Sequence, residues 1–232
     1  MKVICALQAR LGSTRLPGKA LKEIGGLPIL VHIWRRLLAC REVDDVWIAL
    51  GCDKCSGTEG YPCRSCKPLD DLHYGGIRVV VGPEQDLLTR IRLTGRHQDA
   101  DAILRVRSDC LFLDPAKLDE LVAVYRAAYP TMRALSNWPS RAYSEGVDAE
   151  IWSMELLAEL DRTPECPRED FGTWAIERGL VMQMHAVCEK RDEPHLSIDT
   201  QEDFDRATRM MKILGNDEWR YAETLKAWEA TK

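Results

Sequence analysis

The sequence predicts an α/β fold in which helices flank a mixed, mostly parallel sheet. In the first half of the chain, short apolar runs rich in β-branched residues alternate with segments of helical period, as in repeated strand–helix units. Of the 232 residues, 45% are hydrophobic, which is enough to bury a sizeable core and more than a disordered chain carries. We find no repeat, low-complexity tract or linker, so a single domain over residues 1–232 is expected.

The first half follows a regular order of strand, loop and helix. The predicted strands are residues 2–8, 46–50, 77–81 and 102–106. The predicted helices are residues 28–40, 86–97 and 115–128. The first helix has apolar residues near helical spacing, and the third has Pro at its first turn, where proline fits a helix.

The alternation weakens in the second half of the chain. The predicted strands there are residues 131–137, 146–152 and 180–187. The predicted helices are residues 153–162, residues 168–178 and a helical region from residue 201 onward. This irregular order indicates a mixed sheet with a substrate-binding subregion or a dimer arm.

Composition and charge exclude several classes of protein. With 32 Lys and Arg against 37 Asp and Glu, the formal net charge is −5, so binding of nucleic acid through bulk charge is not expected. A polyphosphate partner must therefore be held by a local site. No apolar run approaches the roughly 20 residues of a membrane span, and residues 1–5 lead into a strand pattern without a signal-peptide cleavage region. We expect a cytoplasmic protein that does not bind membranes.

The loop after the first strand is the best candidate for a phosphate site. Arg10, Arg15 and Lys19 lie within ten residues that also contain two glycines and two hydroxyl side chains. Glycines allow backbone amides to approach phosphate oxygens, arginines bind them bidentately, and a lysine stabilises charge on a leaving pyrophosphate. The spacing is not that of a P-loop. The alternative is a solvated basic turn.

Carboxylates that follow predicted strands suggest a magnesium site. Asp109 follows the strand at residues 102–106, and Asp199 follows a shorter apolar run. Two such carboxylates can hold Mg²⁺ while the metal keeps waters and phosphate ligands. Alternatively, Asp109 starts a turn and Asp199 caps the helix near residue 201. Asp148 and Glu150, two apart on a predicted strand, share a face that meets a polar acceptor or a metal, or else forms a solvent-facing strand edge.

Four of the nine cysteines form a CxxC-x7-CxxC pattern within a cysteine-, glycine- and proline-rich insertion at residues 51–76. They are Cys52, Cys55, Cys63 and Cys66. Paired thiolates suit tetrahedral Zn²⁺, and a segment with so few apolar residues needs such a source of order, so a structural zinc is predicted. Unligated cysteines in a flexible loop are the alternative, since a cytosolic location disfavours disulfides. The scattered Cys5, Cys40, Cys110, Cys166 and Cys188 read as buried packing residues.

Five segments of the chain carry a resemblance to a known family. The string QARLGSTRLPGKAL at Gln8–Leu21 resembles the N-terminal signature of the cytidylyltransferases that include spore coat polysaccharide biosynthesis protein F, CMP-KDO synthetase and acylneuraminate cytidylyltransferases. The further matches, to the spore-coat branch, are RVRSDCLFLDP, YSEGVDAEIWS, REDFGTWAIE and HLSIDTQEDF, which begin at residues 105, 143, 168 and 195. The resemblance covers most of the chain in order and leaves out residues 51–76.

The resemblance implies a Rossmann-like nucleotide-diphospho-sugar transferase fold and a role for each matched residue. Arg10, Arg15 and Lys19 would be catalytic, and Asp109 and Asp199 would bind the catalytic Mg²⁺. The nucleotide contacts would be Gln8, Ala9, Leu11, Gly12, Ser13, Asp86 and Arg107. The acceptor contacts would be Asp148, Glu150, Arg168 and Glu169.

Several positions depart from the family pattern. Ser108 replaces a glycine, Arg107 adds a cation, Leu111 replaces a proline, and Asp170 stands where histidine is common. Arg107 is therefore an additional candidate for a phosphate or acceptor contact. Asp86 serves equally well as a helix N-cap.

The expected activity is transfer of CMP from CTP to a sugar, sugar-acid, phosphate or phosphonate acceptor, with release of pyrophosphate, for a cell-surface glycan or related product. The alternatives are a nucleotidyltransferase that uses another nucleoside triphosphate, and an inactive nucleotide-binding scaffold that recruits a partner through its cysteines. The resemblance also leads us to expect a homodimer.

Overall fold

The computed structural model describes residues 1–54, 76–138, 140, 143–184 and 194–232. Within these ranges the strands are β1 (Val3–Arg10), β2 (Glu23–Ile24), β3 (Leu27–Pro28), β4 (Asp45–Gly51), β5 (Val79–Gly82), β6 (Ala102–Arg107), β7 (Ala134–Ser136), β8 (Ala149–Ser153) and β9 (Met182–Gln183). The helices are α1 (Ile29–Leu37), α2 (Leu87–His97), α3 (Pro115–Ala128), α4 (Met154–Asp161), α5 (Phe171–Glu177), α6 (Gln201–Leu214) and α7 (Tyr221–Glu229). A short 3₁₀ turn spans Lys19–Leu21.

Seven of the described strands form one sheet in the order β5-β4-β1-β6-β8-β7-β9. Strands β5, β4, β1 and β6 run parallel to one another, and β9 runs parallel to β7. Strand β8 is antiparallel to both β6 and β7. The predicted α/β class with a mixed, mostly parallel sheet is therefore confirmed.

Two hydrophobic layers cover the two faces of this sheet. On β1, Val3, Cys5 and Leu7 belong to one buried cluster, whereas Ile4 and Ala6 belong to the other. This alternation follows from the period of two along a strand, and burial on both faces explains the continuous apolar run. Helices α1, α3, α6 and α7 contribute to the first cluster, and α2, α4 and α5 to the second.

Strand β8 brings the second half of the chain to the edge where β1 and β6 end. Because it runs antiparallel to β6, the start of β8 lies beside the carboxyl end of β6, and Glu150 is the register partner of Arg105. This explains the loss of regular alternation in the sequence.

The predicted elements differ from the observed ones mainly at their ends. Helix α3 has the predicted bounds, but the predicted strand at residues 131–137 is only Ala134–Ser136. The C-terminal helical region is two helices, because Gly215 ends α6 in the left-handed conformation with φ of 77°. The hairpin of β2 and β3 was missed, although Gly25 and Gly26 supply the two positive φ angles that its two-residue turn needs.

Four of the five cysteines predicted to be packing residues are buried, namely Cys5, Cys40, Cys110 and Cys166. Burial raises the pKa of the Cys5 and Cys110 thiols, as expected for packing residues. Cys188 lies outside the described residues, as do Cys55, Cys63 and Cys66 of the predicted zinc cluster. Cys52 is buried just after β4. The zinc cluster therefore stays a prediction.

None of the helices in the described ranges is long and apolar enough to cross a membrane.

Candidate active site

The basic loop after β1 meets two aspartates in one cleft at the carboxyl edge of the sheet: Asp109, two residues after β6, and Asp199, just before α6. The cleft has a volume of about 130 Å³. Its lining residues are Gln8, Arg10, Ser13, Thr14, Arg15, Lys19, Arg107, Ser108, Asp109, Glu169 and Asp199. The structure thus brings together all three predicted catalytic cations and both predicted magnesium ligands, as the position of parallel strand ends requires.

The basic loop after β1 is attached to the hydrophobic core by its apolar residues. Leu16 and Ala20 are buried, and the Lys19 amide donates to the Leu16 carbonyl at 3.1 Å. Gly18, with φ of 66°, makes the left-handed turn into the 3₁₀ segment that begins at Lys19. The loop is therefore attached to the core at Leu16 and Ala20, while the side chains of Arg10 and Arg15 stay exposed.

The buried Arg90 of α2 lies below the ends of the parallel strands. Its guanidinium donates to the carbonyls of Ala9, Ala49 and Glu84 at 3.1, 3.3 and 3.2 Å. Ala9 immediately precedes Arg10, the first cation of the loop. Arg90 therefore fixes the strand ends from which the cleft is built, and the sequence analysis missed it because a lone arginine in a helix has no distinguishing pattern.

The two aspartates are held by different local structures. The Asp109 carbonyl accepts from the Ile198 amide at 3.1 Å, which ties the end of β6 to the segment before α6. Thr200, and not Asp199, is the N-cap of α6, and it forms a capping box with Asp203. Of the pair Asp199 and Thr200, which could together cap the helix, Thr200 supplies the cap, and the Asp199 side chain lines the cleft.

The two carboxylates converge on one ammonium group. Lys19 Nζ donates to Asp109 Oδ2 at 3.4 Å and to Asp199 Oδ1 at 3.1 Å. Arg15 Nη2 donates to the same Asp199 Oδ1 at 2.9 Å. A cation already lies between the two carboxylates, and their hard oxygen ligands suit Mg²⁺, so the residues fit a divalent metal. The described residues contain no group of three or more His, Cys, Asp or Glu side chains placed to hold a metal ion.

The electrostatics of the cleft keep Asp109 ionised. Although burial opposes this, the charges of Arg107 and Lys19 hold the pKa of Asp109 below its ordinary value. Arg107 Nε donates to Asp109 Oδ1 at 3.1 Å, and, against the effect of burial, the Asp109 charge raises the pKa of the Arg107 guanidinium. Asp109 therefore stays a carboxylate that can hold a metal.

A second, smaller cavity of about 70 Å³ adjoins the cleft. Its lining residues are Arg105, Arg107, Trp138, Asp148, Ala149, Glu150, Asp170 and Thr173. Arg107 lines both cavities, so it lies between the cleft and the second cavity.

The carboxylates of the second cavity have different environments. Glu150 accepts from Arg105 Nη1 at 2.8 Å and from Trp152 Nε1 at 3.0 Å. Asp148 accepts from the Gly146 amide at 3.3 Å and from Arg107 Nη2 at 3.5 Å. Burial raises the pKa of Asp148 to about 6, because these contacts do not compensate the loss of water.

Other predicted site residues lie at the rim or outside the two cavities. Glu169 pairs with Arg10 at 3.0 Å in the cleft. Asp86 caps α2 through the Thr89 amide at 2.8 Å and accepts from Arg168 Nε at 3.0 Å, and neither Asp86 nor Arg168 lines a cavity. Gly12 lies against Glu84, whose Oε1 would be 2.6 Å from a Cβ at that position.

Gln8 lines the cleft and accepts from Arg105 Nε at 3.0 Å, and Ser13 also lines it. Ala9 is buried, and Leu11 packs against the first cluster.

Arg105 and Trp138 are the main side chains of the second cavity that sequence reasoning missed. Arg105 shares a face with Arg107 by the period of two along β6, which was a readable signal. Trp138 follows the short strand β7, and no pattern marks it.

Comparison with known proteins places this geometry in context. Residues 4–57 match the family model described as cytidylyltransferase. A 3-deoxy-manno-octulosonate cytidylyltransferase of Myxococcus xanthus is 30% identical over 139 residues, which are 58% of this chain and 50% of that protein. An 8-amino-3,8-dideoxy-manno-octulosonate cytidylyltransferase of a Shewanella species is 27% identical over 126 residues, 54% of this chain and 48% of that protein. The matches thus span about half the length of these curated relatives.

Solved structures are similar over almost the whole chain. A cytidylyltransferase of Leptospira borgpetersenii matches with a TM-score of 0.87 and 25% identity, over 99% of this chain and 94% of that one. CMP:2-keto-3-deoxy-manno-octonic acid synthetase complexed with CTP matches with a TM-score of 0.67 and 15% identity, over 91% and 99%. Rv0371c of Mycobacterium tuberculosis, in complex with manganese, has a TM-score of 0.57 at 16% identity, over 89% and 97%. The predicted resemblance to cytidylyltransferases and the predicted fold are confirmed.

Proposed function

We propose that the protein is a Mg²⁺-dependent cytidylyltransferase that transfers CMP from CTP to a small-molecule acceptor and releases pyrophosphate. The observation that carries this proposal is the convergence of Asp109 and Asp199 on Lys19, within a cleft that also contains Arg10 and Arg15. This arrangement combines a carboxylate pair for a metal with a cluster of cations for phosphates. The similarity to cytidylyltransferases supports CTP as the nucleotide.

The three loop cations would stabilise the negative charge of the triphosphate. Arg10 and Arg15 have planar guanidinium groups that suit bidentate binding of phosphate oxygens, and Lys19 supplies a point charge for the leaving pyrophosphate. A Mg²⁺ ion held by Asp109 and Asp199 would polarise the phosphoryl oxygens. The other proposed nucleotide contacts are Gln8, Ala9, Leu11, Gly12, Ser13, Asp86 and Arg107. Catalysis would then rest on positioning and electrostatics, without a covalent intermediate.

The second cavity would hold the acceptor. It adjoins the cleft through Arg107, so an acceptor oxygen bound there would be near the α-phosphorus. Asp148 and Glu150 would accept hydrogen bonds from hydroxyl groups, and the Trp138 ring offers a surface for a sugar ring. Glu169, which lines the adjoining cleft, would contact the acceptor from there, whereas Arg168 is paired with Asp86 and Asp161 and lines neither of these cavities. The relatives' names support a sugar acid as the acceptor, among sugar, phosphate and phosphonate alternatives.

The direct test is pyrophosphate release with CTP, Mg²⁺ and a panel of acceptors that includes octulosonate sugars. We expect release that depends on all three components, and loss of release in Asp199→Asn. The matched control is Asp205→Asn, which removes an exposed carboxylate in α6, six residues after Asp199. This variant should retain activity. No release with any acceptor, together with no CTP-induced rise in melting temperature, would refute the proposal.

Thermal shifts with CTP, UTP, GTP and ATP separate the proposal from its alternatives. A larger shift with another triphosphate would identify a different nucleotidyltransferase. If CTP raises the melting temperature but neither wild type nor Asp199→Asn releases pyrophosphate, the protein is an inactive nucleotide-binding scaffold.

We further propose a homodimer and a structural Zn²⁺ at Cys52, Cys55, Cys63 and Cys66. Light scattering that gives a monomer mass, and mass spectrometry that finds no zinc, would refute these two proposals.

A further inference from the structure

We propose that Lys19 is a tethered cation that keeps free divalent ions from the Asp109–Asp199 pair, so that the protein accepts its metal together with a nucleotide. This inference rests on the proposed function in one respect, namely that a nucleoside triphosphate binds in the cleft. It goes beyond it by assigning Lys19 a role before the nucleotide arrives and by specifying a metal–nucleotide complex as the substrate.

The position of the ammonium group is the first step of the argument. Lys19 Nζ lies within 3.4 Å of an Asp109 oxygen and 3.1 Å of an Asp199 oxygen, so it fills the point on which both carboxylates converge. A divalent ion that binds both carboxylates has to occupy the same point. Lys19 and the metal therefore exclude each other from it.

Burial distinguishes Lys19 from the other loop cations. The Lys19 side chain is 12% exposed, whereas that of Arg15 is 69% exposed and that of Arg10 is 47% exposed. A buried ion pair is screened weakly by solvent and salt, and an exposed one strongly. Of the three loop cations, Lys19 would therefore repel a free metal ion most strongly.

The charges around the carboxylate pair are already matched. Asp109 is in contact with Lys19 and Arg107, and Asp199 is in contact with Lys19 and Arg15. Arg107 also contacts Asp148 at 3.5 Å, so three carboxylates face three cations. A free divalent ion would therefore add positive charge to a region that has no excess of negative charge. A triphosphate reverses this balance, because its oxygens give the ammonium and guanidinium groups new partners and leave the carboxylates to the metal.

The test compares Mn²⁺ binding to wild type, Lys19→Met and Arg10→Met, measured by electron paramagnetic resonance without nucleotide and then with a non-hydrolysable CTP analogue. Without nucleotide, Lys19→Met should bind Mn²⁺ about tenfold more tightly than wild type. With the analogue, Lys19→Met should bind the Mn²⁺–nucleotide complex about tenfold more weakly, since a phosphate contact is lost. Lys19 therefore weakens Mn²⁺ binding without nucleotide and strengthens it when the nucleotide is present.

Arg10→Met is the matched control. It removes a cation from the same cleft, but Arg10 contacts Glu169 and neither aspartate. We expect Arg10→Met to change the affinity for free Mn²⁺ by less than about twofold and to weaken nucleotide binding. Equal tightening in both variants would mean that the general positive field, and not the position of Lys19, excludes the metal. Unchanged or weaker Mn²⁺ binding in Lys19→Met would overturn the inference.

A second variant covers the case in which Lys19→Met does not fold, as judged by circular dichroism. Lys19→Gln keeps a polar side chain, and it should likewise bind free Mn²⁺ more tightly and the Mn²⁺–nucleotide complex more weakly than wild type. If wild type binds no nucleotide but Lys19→Met binds free Mn²⁺ more tightly, the proposed function fails and the exclusion of free metal survives. If wild type releases pyrophosphate but Lys19→Met does not bind free Mn²⁺ more tightly, only the inference fails.

Discussion

The buried carboxylate of Asp148 lowers the stability of the folded protein at neutral pH, and Asp148→Asn tests this. Asp148 is 9% exposed, and its Oδ2 accepts from Gly146 and from Arg107 at 3.3 and 3.5 Å. Burial raises its pKa to about 6. Asparagine has nearly the same shape and keeps an oxygen that can accept from the Gly146 amide, but it carries no charge.

The magnitude follows from the difference between the folded and unfolded pKa values. An aspartate in an unfolded chain has a pKa of about 3.9, and each pKa unit corresponds to about 1.36 kcal/mol. Ionising Asp148 therefore costs about 3 kcal/mol more in the folded protein than in the unfolded chain. Because the folded protein binds the proton more tightly, this group lowers the free energy of unfolding as the pH rises from about 4 to about 6.

Urea unfolding of wild type and Asp148→Asn, followed by tryptophan fluorescence in EDTA, measures this difference. We expect Asp148→Asn to be more stable than wild type by about 1–3 kcal/mol at neutral pH and equally stable near pH 4. The exposed Asp205→Asn should show no such pH-dependent gain. Equal or lower stability of Asp148→Asn at neutral pH would refute the reasoning, because it would mean that Arg107 and Gly146 fully compensate the burial of the charge.

Three further predictions concern the cleft and its supports. Asp199→Asn should lower the rate of pyrophosphate release at least about 100-fold with an unchanged circular dichroism spectrum, and a smaller loss would argue against metal ligation. Arg90→Met should lower the free energy of unfolding in urea by about 2–4 kcal/mol, since three strand-end carbonyls lose their donor, and unchanged stability would contradict this. Gly146→Ala should destabilise by at least about 3 kcal/mol, since its Cβ would lie 2.4 Å from backbone atoms of residues 196 and 197, whereas Gly215→Ala, with no atom within 4 Å, should cost about 1 kcal/mol.

Much of the cleft was predictable because its signals are local. Three cations and two glycines directly after a strand mark the basic loop, and the strand at residues 102–106 marks Asp109. The sequence left open whether Asp199 caps α6 or faces the cleft. That question needed the structure, because Asp199 and Thr200 are both residue types that can cap a helix, and Thr200 is the one that forms the capping box with Asp203.

The second cavity was less predictable because it depends on the register of non-local strands. The pairing of Glu150 with Arg105 follows from β8 lying antiparallel to β6, and no short-range pattern encodes that direction. Arg168 was predicted as an acceptor contact, but it binds Asp86 and Asp161 beside α2. The role of a charged side chain in a site depends on such partners, which a single sequence does not reveal.

Because of the direction of β8, different segments of the chain line the two cavities, so most substitutions affect one cavity and not the other. Because β8 starts at the edge where β1 and β6 end, Asp148 and Glu150 line the second cavity and not the cleft that contains the loop cations. Under the proposed function, substitutions at these two positions would change the acceptor while the residues that face the nucleotide are kept. Arg107, which lines both cavities, restricts this freedom, because a change there alters the surroundings of Asp109 and of Asp148 together.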